Sequence, residues 1–328
     1  MTPHRTPGFP DGSASSVLRP IPWNALLPVS AAVFFLLTLA SRLFYMADGH
    51  LALFWPANGF LLGCMILAGR RGPWLLAVGA VAGFSAYAAL GMRLAPALGL
   101  TFANVAEILM ASVLIGRFCR DGDVLASLRS TLLFYGVATP VAAFIGAACG
   151  AAVIRLGFGG GFAPAFTTWW SVDAAGLAIV APTVLYMRRR PSDAAAGSGR
   201  PWEFAGCLAA SLLAAINVFH GPLIFGSAVG RPLPFTLFPF LIWAAMRFGI
   251  RGASIAHLAV YAMAAWFTCR GHGPFLQPQG NSTSLLASLQ GFGYVSALYA
   301  ICDWRFKPAT LEGKPVRVFY VLSVNFKL

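Results

Sequence analysis

Apolar segments of about 20 residues, the length that crosses a bilayer as a helix, follow one another along most of this 328-residue chain. Ten of them lie between charged residues and glycine or proline clusters: 23–45, 51–68, 72–90, 94–116, 131–154, 164–187, 202–219, 233–248, 250–268 and 284–302. Lipid cannot satisfy the backbone of an open sheet, so each segment is predicted to be a helix. The eighth segment has only 16 residues, and Gly249 alone separates it from the ninth. This pair is predicted to be either a tight hairpin or partly re-entrant.

Composition excludes a soluble globular protein. Apolar residues make up 58% of the chain and charged residues only 10%, whereas soluble domains carry about 45–50% and about 25%. Intrinsic disorder is excluded as well, because disordered chains have low hydrophobicity. The predicted fold class is an all-α integral membrane protein, a polytopic helix bundle of about eight to ten transmembrane helices.

The basic residues divide unevenly between the two sides that ten spans would create. Eighteen of the 23 lie in the N-terminus, in loops after even-numbered segments or in the C-terminal tail, and five lie on the other side: Arg42, Arg93, Arg155, Arg231 and Arg270. Cytoplasmic loops collect Lys and Arg, so both termini are predicted to be cytoplasmic. The net charge of +13 then reflects membrane insertion, and no nucleic-acid partner is predicted.

Three parts of the chain are distinguished. Residues 1–22 are predicted to be a disordered cytoplasmic N-terminus, and 23–302 an integral membrane domain. The first apolar run is longer than the roughly 7–15 residues of a signal-peptide core, so it is predicted to stay as an anchor. Residues 303–328 are expected to be a short cytoplasmic tail without an output domain, since a domain needs on the order of 100 residues.

Polar side chains at bilayer depth are costly and are functional candidates for that reason. Glu107 and Asp173 lie near the middle of their segments without a cation at matching depth, so each is expected to face the bundle interior. Two interpretations compete: an interhelical hydrogen-bond clamp, or a site for a signal, ligand or proton. The candidate set, with two neighbouring tryptophans, is Asn58, Asn104, Glu107, Trp169, Trp170, Asp173, His257 and Gln290.

A second candidate set lies on the predicted outer loops: Asp48, His50, His220 and His272. Two of these histidines occur in His-Gly-Pro tripeptides. Histidine titrates near pH 6.5 and binds metals readily, so a possible outer-face site is one interpretation. Solvent-facing turn residues are the alternative, because the spacing is not a metal motif. No metal, cofactor or catalytic residue is predicted.

A short pattern recurs between consecutive segments. Gly69-Arg70-Arg71-Gly72 and Gly249-Ile250-Arg251-Gly252 share the form G-x-R-G on the same predicted side. The repeat indicates either a duplicated helical hairpin or simply two tight basic turns.

Several fragments, in order along residues 23–302, resemble one known family, the type-one membrane-associated sensor (MASE) domain of bacterial signalling proteins. The fragments are Trp55-Pro56-Ala57-Asn58-Gly59, Ala103-Asn104-Val105-Ala106-Glu107, Trp169 to Gly176, Trp243 to Gly249 with Arg251-Gly252-Ala253, Gly271 to Phe275, and Leu286 to Gln290. Members of that family typically precede a cytoplasmic kinase, cyclase or PAS module. Residues 303–328 depart from this pattern, being too short for such a module.

The resemblance implies a signal-perception module of bacterial signal transduction, in two-component or cyclic-di-GMP signalling, located in the inner (plasma) membrane. Its expected partners are the lipid bilayer, a membrane or cytoplasmic signalling protein and an unknown small-molecule signal. The chain is predicted not to be an enzyme. The alternative is a secondary transporter that uses Glu107 and Asp173 as a cation or proton site. Broken helices and an inverted repeat would support this alternative.

Overall fold

The computed structural model describes residues 23–46, 52–118, 127–187, 200–220, 233–276, 282–301, 310–311 and 314–315. The described part is almost wholly helical: α1 (Trp23–Ala40), α2 (Pro56–Ala68), α3 (Gly72–Ala89), α4 (Leu94–Phe118), α5 (Leu128–Leu133), α6 (Thr139–Phe158), α7 (Phe162–Met187), α8 (Pro201–Phe219), α9 (Phe238–Cys269) and α10 (Ser282–Ile301). A π-helical turn, Phe134–Ala138, joins α5 to α6. Two short antiparallel strands, β1 (Thr310–Leu311) and β2 (Lys314–Pro315), follow α10.

Among the described residues, seven helical stretches are long and apolar enough to cross a membrane: Asn24–Phe44, Pro56–Ala89, Leu94–Phe118, Arg129–Phe158, Phe162–Met187, Pro201–Phe219 and Pro234–Cys269. The prediction of an all-helical, multi-pass membrane protein is confirmed at this level. Two of the seven stretches each contain two of the ten predicted segments. The last predicted segment corresponds to α10, which is not among the seven.

The stretch Pro56–Ala89 folds back on itself. Gly69, between α2 and α3, has a φ of 55°, a left-handed value that glycine adopts at little steric cost. Leu61 of α2 lies directly against Gly79 of α3, the same number of residues from the turn on either side. The two helices are therefore antiparallel arms of a hairpin.

The long helix α9 also consists of two arms, joined at Gly249 with φ 63° and ψ −168°. Ring contacts define their course: Phe248 against Phe204 at the start of α8, Phe267 against His220 just past the end of α8, and Phe238 and Phe219 both against Phe292. The first arm therefore runs antiparallel to α8, and the second returns parallel to it. Of the two predicted alternatives for this pair, the tight hairpin is confirmed, and the two G-x-R-G sequences occupy equivalent turns.

The described arginines of the helical bundle separate into two groups at opposite ends. Thr183 near the end of α7 bonds to the Ser254 carbonyl just after the Gly249 turn. Gly63 near the end of α2 packs against Val184, so both glycine turns lie at one end. We call it the basic end, and its described arginines are Arg70, Arg71, Arg117, Arg129, Arg200, Arg247 and Arg251. The opposite end carries Arg42, Arg93, Arg155 and Arg270, which matches the predicted segregation of charge.

The helix α2 begins inside the bundle rather than at its surface. It has 13 residues, about 20 Å at about 1.5 Å per residue, against a hydrocarbon thickness of about 30 Å. Asn58, its third residue, bonds to Asn104, the eleventh of the 25 residues of α4. The preceding residues Leu53 and Phe54 are not helical, yet both are buried. Non-helical backbone is tolerated at such depth only where protein surrounds it.

Close backbone contact holds this half-helix in place. A Cβ on Gly176 of α7 would overlap the carbonyl oxygen of Trp55, and one on Gly59 would overlap the Gly176 carbonyl. Small residues allow such approach between membrane helices, where packing and not the hydrophobic effect drives association. The side chain of Glu107 likewise occupies the space that a Cβ on Gly146 of α6 would take.

The ion pair between α8 and α9 is expected to contribute little to stability. Arg247 donates to Oε2 of Glu203 from Nε at 3.1 Å and from Nη2 at 2.7 Å, but its side chain is 40% exposed. Exposed pairs are worth about 0–1 kcal/mol, so Arg247→Met should lower the free energy of unfolding by no more than about 1 kcal/mol. Thermal unfolding in detergent measures this, with the double variant Glu203→Gln/Arg247→Met as control. A loss of several kcal/mol would contradict the expectation.

Candidate functional site

Two carboxyl groups meet in the middle of the bundle. Glu107 on α4 is fully buried and Asp173 on α7 is 5% exposed, so the prediction that both face the interior is confirmed. Their side chains lie within interaction distance of each other. An ionised carboxylate only accepts hydrogen bonds, so a hydrogen bond between them requires a proton on one of the two groups. We call Glu107 and Asp173 the acid pair.

An amide network surrounds the acid pair on the side of α2. The Nδ2 atom of Asn58 donates to Glu107 Oε2 at 2.9 Å and to Asn104 Oδ1 at 3.1 Å. The indole N–H of Trp55 donates to Asn58 Oδ1 at 3.4 Å, and Asn104 Nδ2 donates to the Tyr87 hydroxyl at 2.9 Å. The structure therefore brings together four of the predicted candidates, Asn58, Asn104, Glu107 and Asp173.

The acid pair has no basic partner. No ion pair recorded for the described residues involves either carboxyl group, and no backbone, amide, hydroxyl or indole group among them donates to Glu107 Oε1. The start of α2, which has no side-chain cap, lies beside the acid pair. The free N–H groups of a helix start carry a partial positive charge, and Asn58 places them one side chain away from Glu107.

A second polar cluster holds the non-helical segment before α2. The Leu53 carbonyl accepts a hydrogen bond from Gln290 Nε2 of α10 at 3.1 Å, and the Tyr261 hydroxyl of α9 lies 3.5 Å from the same oxygen. Tyr261 donates its one hydroxyl hydrogen to Gln290 Oε1. His257 lies one turn before Tyr261 and is bonded through Nε2 to the Ser296 hydroxyl at 2.8 Å. Gln290 and His257 thus connect α9, α10 and residue 53. Among the described residues, no hydrogen bond joins either of them to the acid pair.

The two predicted tryptophans have different environments. Trp169 packs over Gly150 of α6, in an apolar cluster that includes Tyr87 and Trp55. Trp170 is 40% exposed, donates to the Pro140 carbonyl at 2.9 Å and stacks on Phe166 on the outside of the bundle. Trp169 therefore faces the bundle interior, one turn before Asp173, whereas Trp170 belongs to the outer surface.

The predicted outer-face set is only partly described. His220 and His272 lie at the end opposite the basic end, with their rings parallel within 9° and their centroids 5.3 Å apart. Phe267 packs edge-on against His220. Asp48 and His50 lie outside the described residues. No group of three or more His, Cys, Asp or Glu side chains that could hold a metal ion occurs in the described part of the chain.

Some residues of the site were not predicted from the sequence. Tyr87 and Tyr261 supply hydroxyl groups to the two clusters. The Leu53 carbonyl accepts a hydrogen bond and the Trp55 carbonyl packs against Gly176, in a segment where a continuous helix was expected. One sequence signal was available: Pro56 inside the predicted segment 51–68 favours the first turn of a helix. It places the helix start five residues into that segment.

Comparison with known proteins gives one match. Residues 26–302 match the family model MASE1, which describes membrane-associated sensor domains. No curated protein and no solved structure matches the chain.

Proposed function

The chain belongs to the MASE1 family of membrane-associated sensor domains, and from this premise we propose that it is the signal-perceiving module of a bacterial signalling system in the inner membrane. The observation that carries the proposal is the polar core. The first turn of the half-helix α2 contacts the acid pair through Asn58, and Leu53, in the segment just before α2, is bonded to Gln290 of α10. Polar groups at membrane depth mark functional sites in membrane proteins. The signal changes this core, and the change is passed on through α10.

The route from the core to α10 is short. Asn58 contacts Glu107 at the start of α2, and Trp55 donates to Asn58. Two residues earlier, the Leu53 carbonyl is held by Gln290 on α10. A displacement of the start of α2 therefore acts directly on α10. A sensor needs an element of this kind, whose movement at one site is passed to another.

The basic end is proposed to face the cytoplasm. Cytoplasmic loops collect arginine and lysine, and seven described arginines lie at that end against four at the other. With Gln290 bonded beside Tyr261 and Ser296 bonded to His257, α10 runs antiparallel to the second arm of α9 and ends at the basic end. Both termini of the bundle are then cytoplasmic, and the partner that receives the signal is a cytoplasmic or membrane-bound signalling protein.

A chimera tests the proposal. Residues 1–302 are fused to a diguanylate cyclase or histidine kinase output domain, and output activity is measured across pH, small molecules and membrane perturbants. A stimulus-dependent output is expected. Gln290→Leu should reduce the response at least tenfold, because the bond to Leu53 is lost, whereas Ser288→Leu on the exposed face of α10 should not. An output that no stimulus changes would contradict the sensory function.

One observation favours a second candidate, a secondary transporter. Transporters often bind their substrates beside broken helices near the midplane, and α2 is such a half-helix next to two buried acids. Purified protein in sealed vesicles distinguishes the two: a transporter would move protons or a solute down an imposed gradient, and a sensor would not. The family relation leads us to prefer the sensor.

A further inference from the structure

We propose that the acid pair is a proton-binding site, in which Glu107 and Asp173 share one proton and the remaining negative charge is held by Asn58 and the start of α2. The ligand of this site is a proton taken from the aqueous phase. Uptake of a second proton makes both carboxyls neutral, and release restores the singly charged pair. This inference deepens the proposed sensory function and rests on it for its role, but the binding chemistry stands on the geometry alone.

The first argument is the contact between the two carboxyl groups. Both side chains are buried at the place where α2 meets α4 and α7: Asn58 donates to Glu107, and Gly59 packs against Gly176, one turn after Asp173. Two ionised carboxylates have no hydrogen to place between them and repel one another in a low dielectric. One shared proton removes both problems. The pairing therefore specifies a site with room for one or two protons.

The second argument is how the remaining charge is held. A buried carboxylate needs a partner, and no Arg or Lys supplies one among the described residues. Instead Asn58 donates to Glu107 Oε2 at 2.9 Å from the first turn of the uncapped helix α2. Glu107 Oε1 is fully buried, and no N–H, hydroxyl or indole group of the described residues donates a hydrogen bond to it. This oxygen is therefore the free position for a proton.

The same surroundings argue against a metal cation or a larger ligand. A hard cation needs about six oxygen ligands, but the amide oxygens of Asn58 and Asn104 already accept hydrogen bonds. The positive end of α2 would repel a cation. A cavity of about 10 Å³ adjoins Asn104, near the lower limit of about 10–15 Å³ for a single water. A proton, carried in by water, fits these limits.

Among the described residues, the titratable groups nearest the acid pair are tyrosines. Tyr87 of α3 reaches it through Asn104, and Tyr45, just after α1, interacts with Asp173. On the side of α6 the neighbour is Gly146, and on the side of α2 the neighbours are Trp55 and Asn58. None of these described neighbours titrates in the acid range, so within this part of the structure the acid pair is the group that responds there.

Protonation has a structural consequence at α2. A hydrogen bond to an ionised carboxylate is roughly twice as strong as one between neutral groups. The second proton therefore weakens the bond from Asn58 and removes the attraction between the pair and the helix start. The start of α2 is then held less tightly, and the bond between Leu53 and Gln290 is the next contact to change.

Infrared difference spectroscopy on the full chain in lipid nanodiscs tests the site. The wild type should show the C=O stretch of a protonated carboxylic acid at neutral pH, and this band should grow on acidification. The isosteric variants Glu107→Gln and Asp173→Asn should each lose the titrating band, while the matched control Glu203→Gln keeps it. Circular dichroism verifies that each variant is folded.

Three results would overturn the inference: no protonated carboxyl band in the wild type at neutral pH, an unchanged band in both site variants, or a titration midpoint that moves when Na⁺ replaces an organic cation. The first result needs no variant, so a folding failure does not block the test. The chimera separates this site from the sensory function. If Glu107→Gln loses the band but the wild-type chimera responds to no stimulus, the proton site stands and the sensory function is overturned. If Glu107→Gln keeps the band but the wild-type chimera responds, the sensory function stands and the proton site is overturned.

Discussion

Replacing Gly176 by alanine is expected to destabilise the protein by at least about 3 kcal/mol, the upper end for an overpacked interior. The new Cβ would overlap the carbonyl oxygen of Trp55. The obstacle is backbone and not the end of a flexible side chain, so the half-helix α2 must move away from α7 as a whole. Denaturant or thermal unfolding of the purified protein in detergent, followed by tryptophan fluorescence, measures the loss.

The matched control is Gly206→Ala on α8. Among the described residues, no atom beyond the neighbouring turns of α8 lies within 4 Å of a Cβ built on Gly206, and alanine favours a helix over glycine by about 1 kcal/mol. This variant should be as stable as the wild type or slightly more so. Similar losses for the two alanine variants would show that α2 does not pack against α7 as described.

Replacing Asn58 by leucine is expected to cost about 3 kcal/mol of stability, because a buried carboxyl group loses its donor. Asn58 is fully buried and serves Glu107, Asn104 and Trp55 at once. The loss should shrink as the pH falls, since a neutral acid pair depends less on that donor. Unfolding measured at several pH values tests both statements.

Asn24→Leu is the control for this change. Asn24 lies on the exposed side of α1, where the same substitution removes no buried contact and should shift the unfolding free energy by no more than about 0.5 kcal/mol. If Asn58→Leu behaves like Asn24→Leu, the amide network does not support the acid pair.

Much of the fold could be predicted from residue patterns, because a bilayer restricts what a chain can form. Length and hydropathy marked the helical segments, and arginine positions separated the two ends of the bundle. The burial of Glu107 and Asp173 also followed from the cost of exposing a carboxyl group to lipid. Their mutual contact did not, since it depends on how α4 and α7 are rotated and offset, which small apolar residues leave open.

The half-helix is the clearest feature that periodicity missed. Segment 51–68 is apolar apart from Asn58, so it looked like one continuous span. The helix begins only at Pro56, and the Leu53 carbonyl accepts its hydrogen bond from Gln290 on α10. Such long-range satisfaction of a backbone group leaves little trace in local composition. Trp170 is the converse case: its place beside Asp173 in sequence suggested the core, but its helical position turns it outward.

The carbonyl of Leu53 accepts a hydrogen bond from Gln290 and has the Tyr261 hydroxyl within reach as a second donor. If Gln290 withdraws, the Tyr261 hydroxyl remains at 3.5 Å, so the oxygen is not stranded in hydrocarbon. A stranded carbonyl would cost several kcal/mol, whereas exchanging one donor for another costs about 1 kcal/mol. Loss of the Gln290 bond alone therefore leaves the Leu53 carbonyl satisfied, while Phe292, Tyr294 and Ser296 still hold α10 in the bundle.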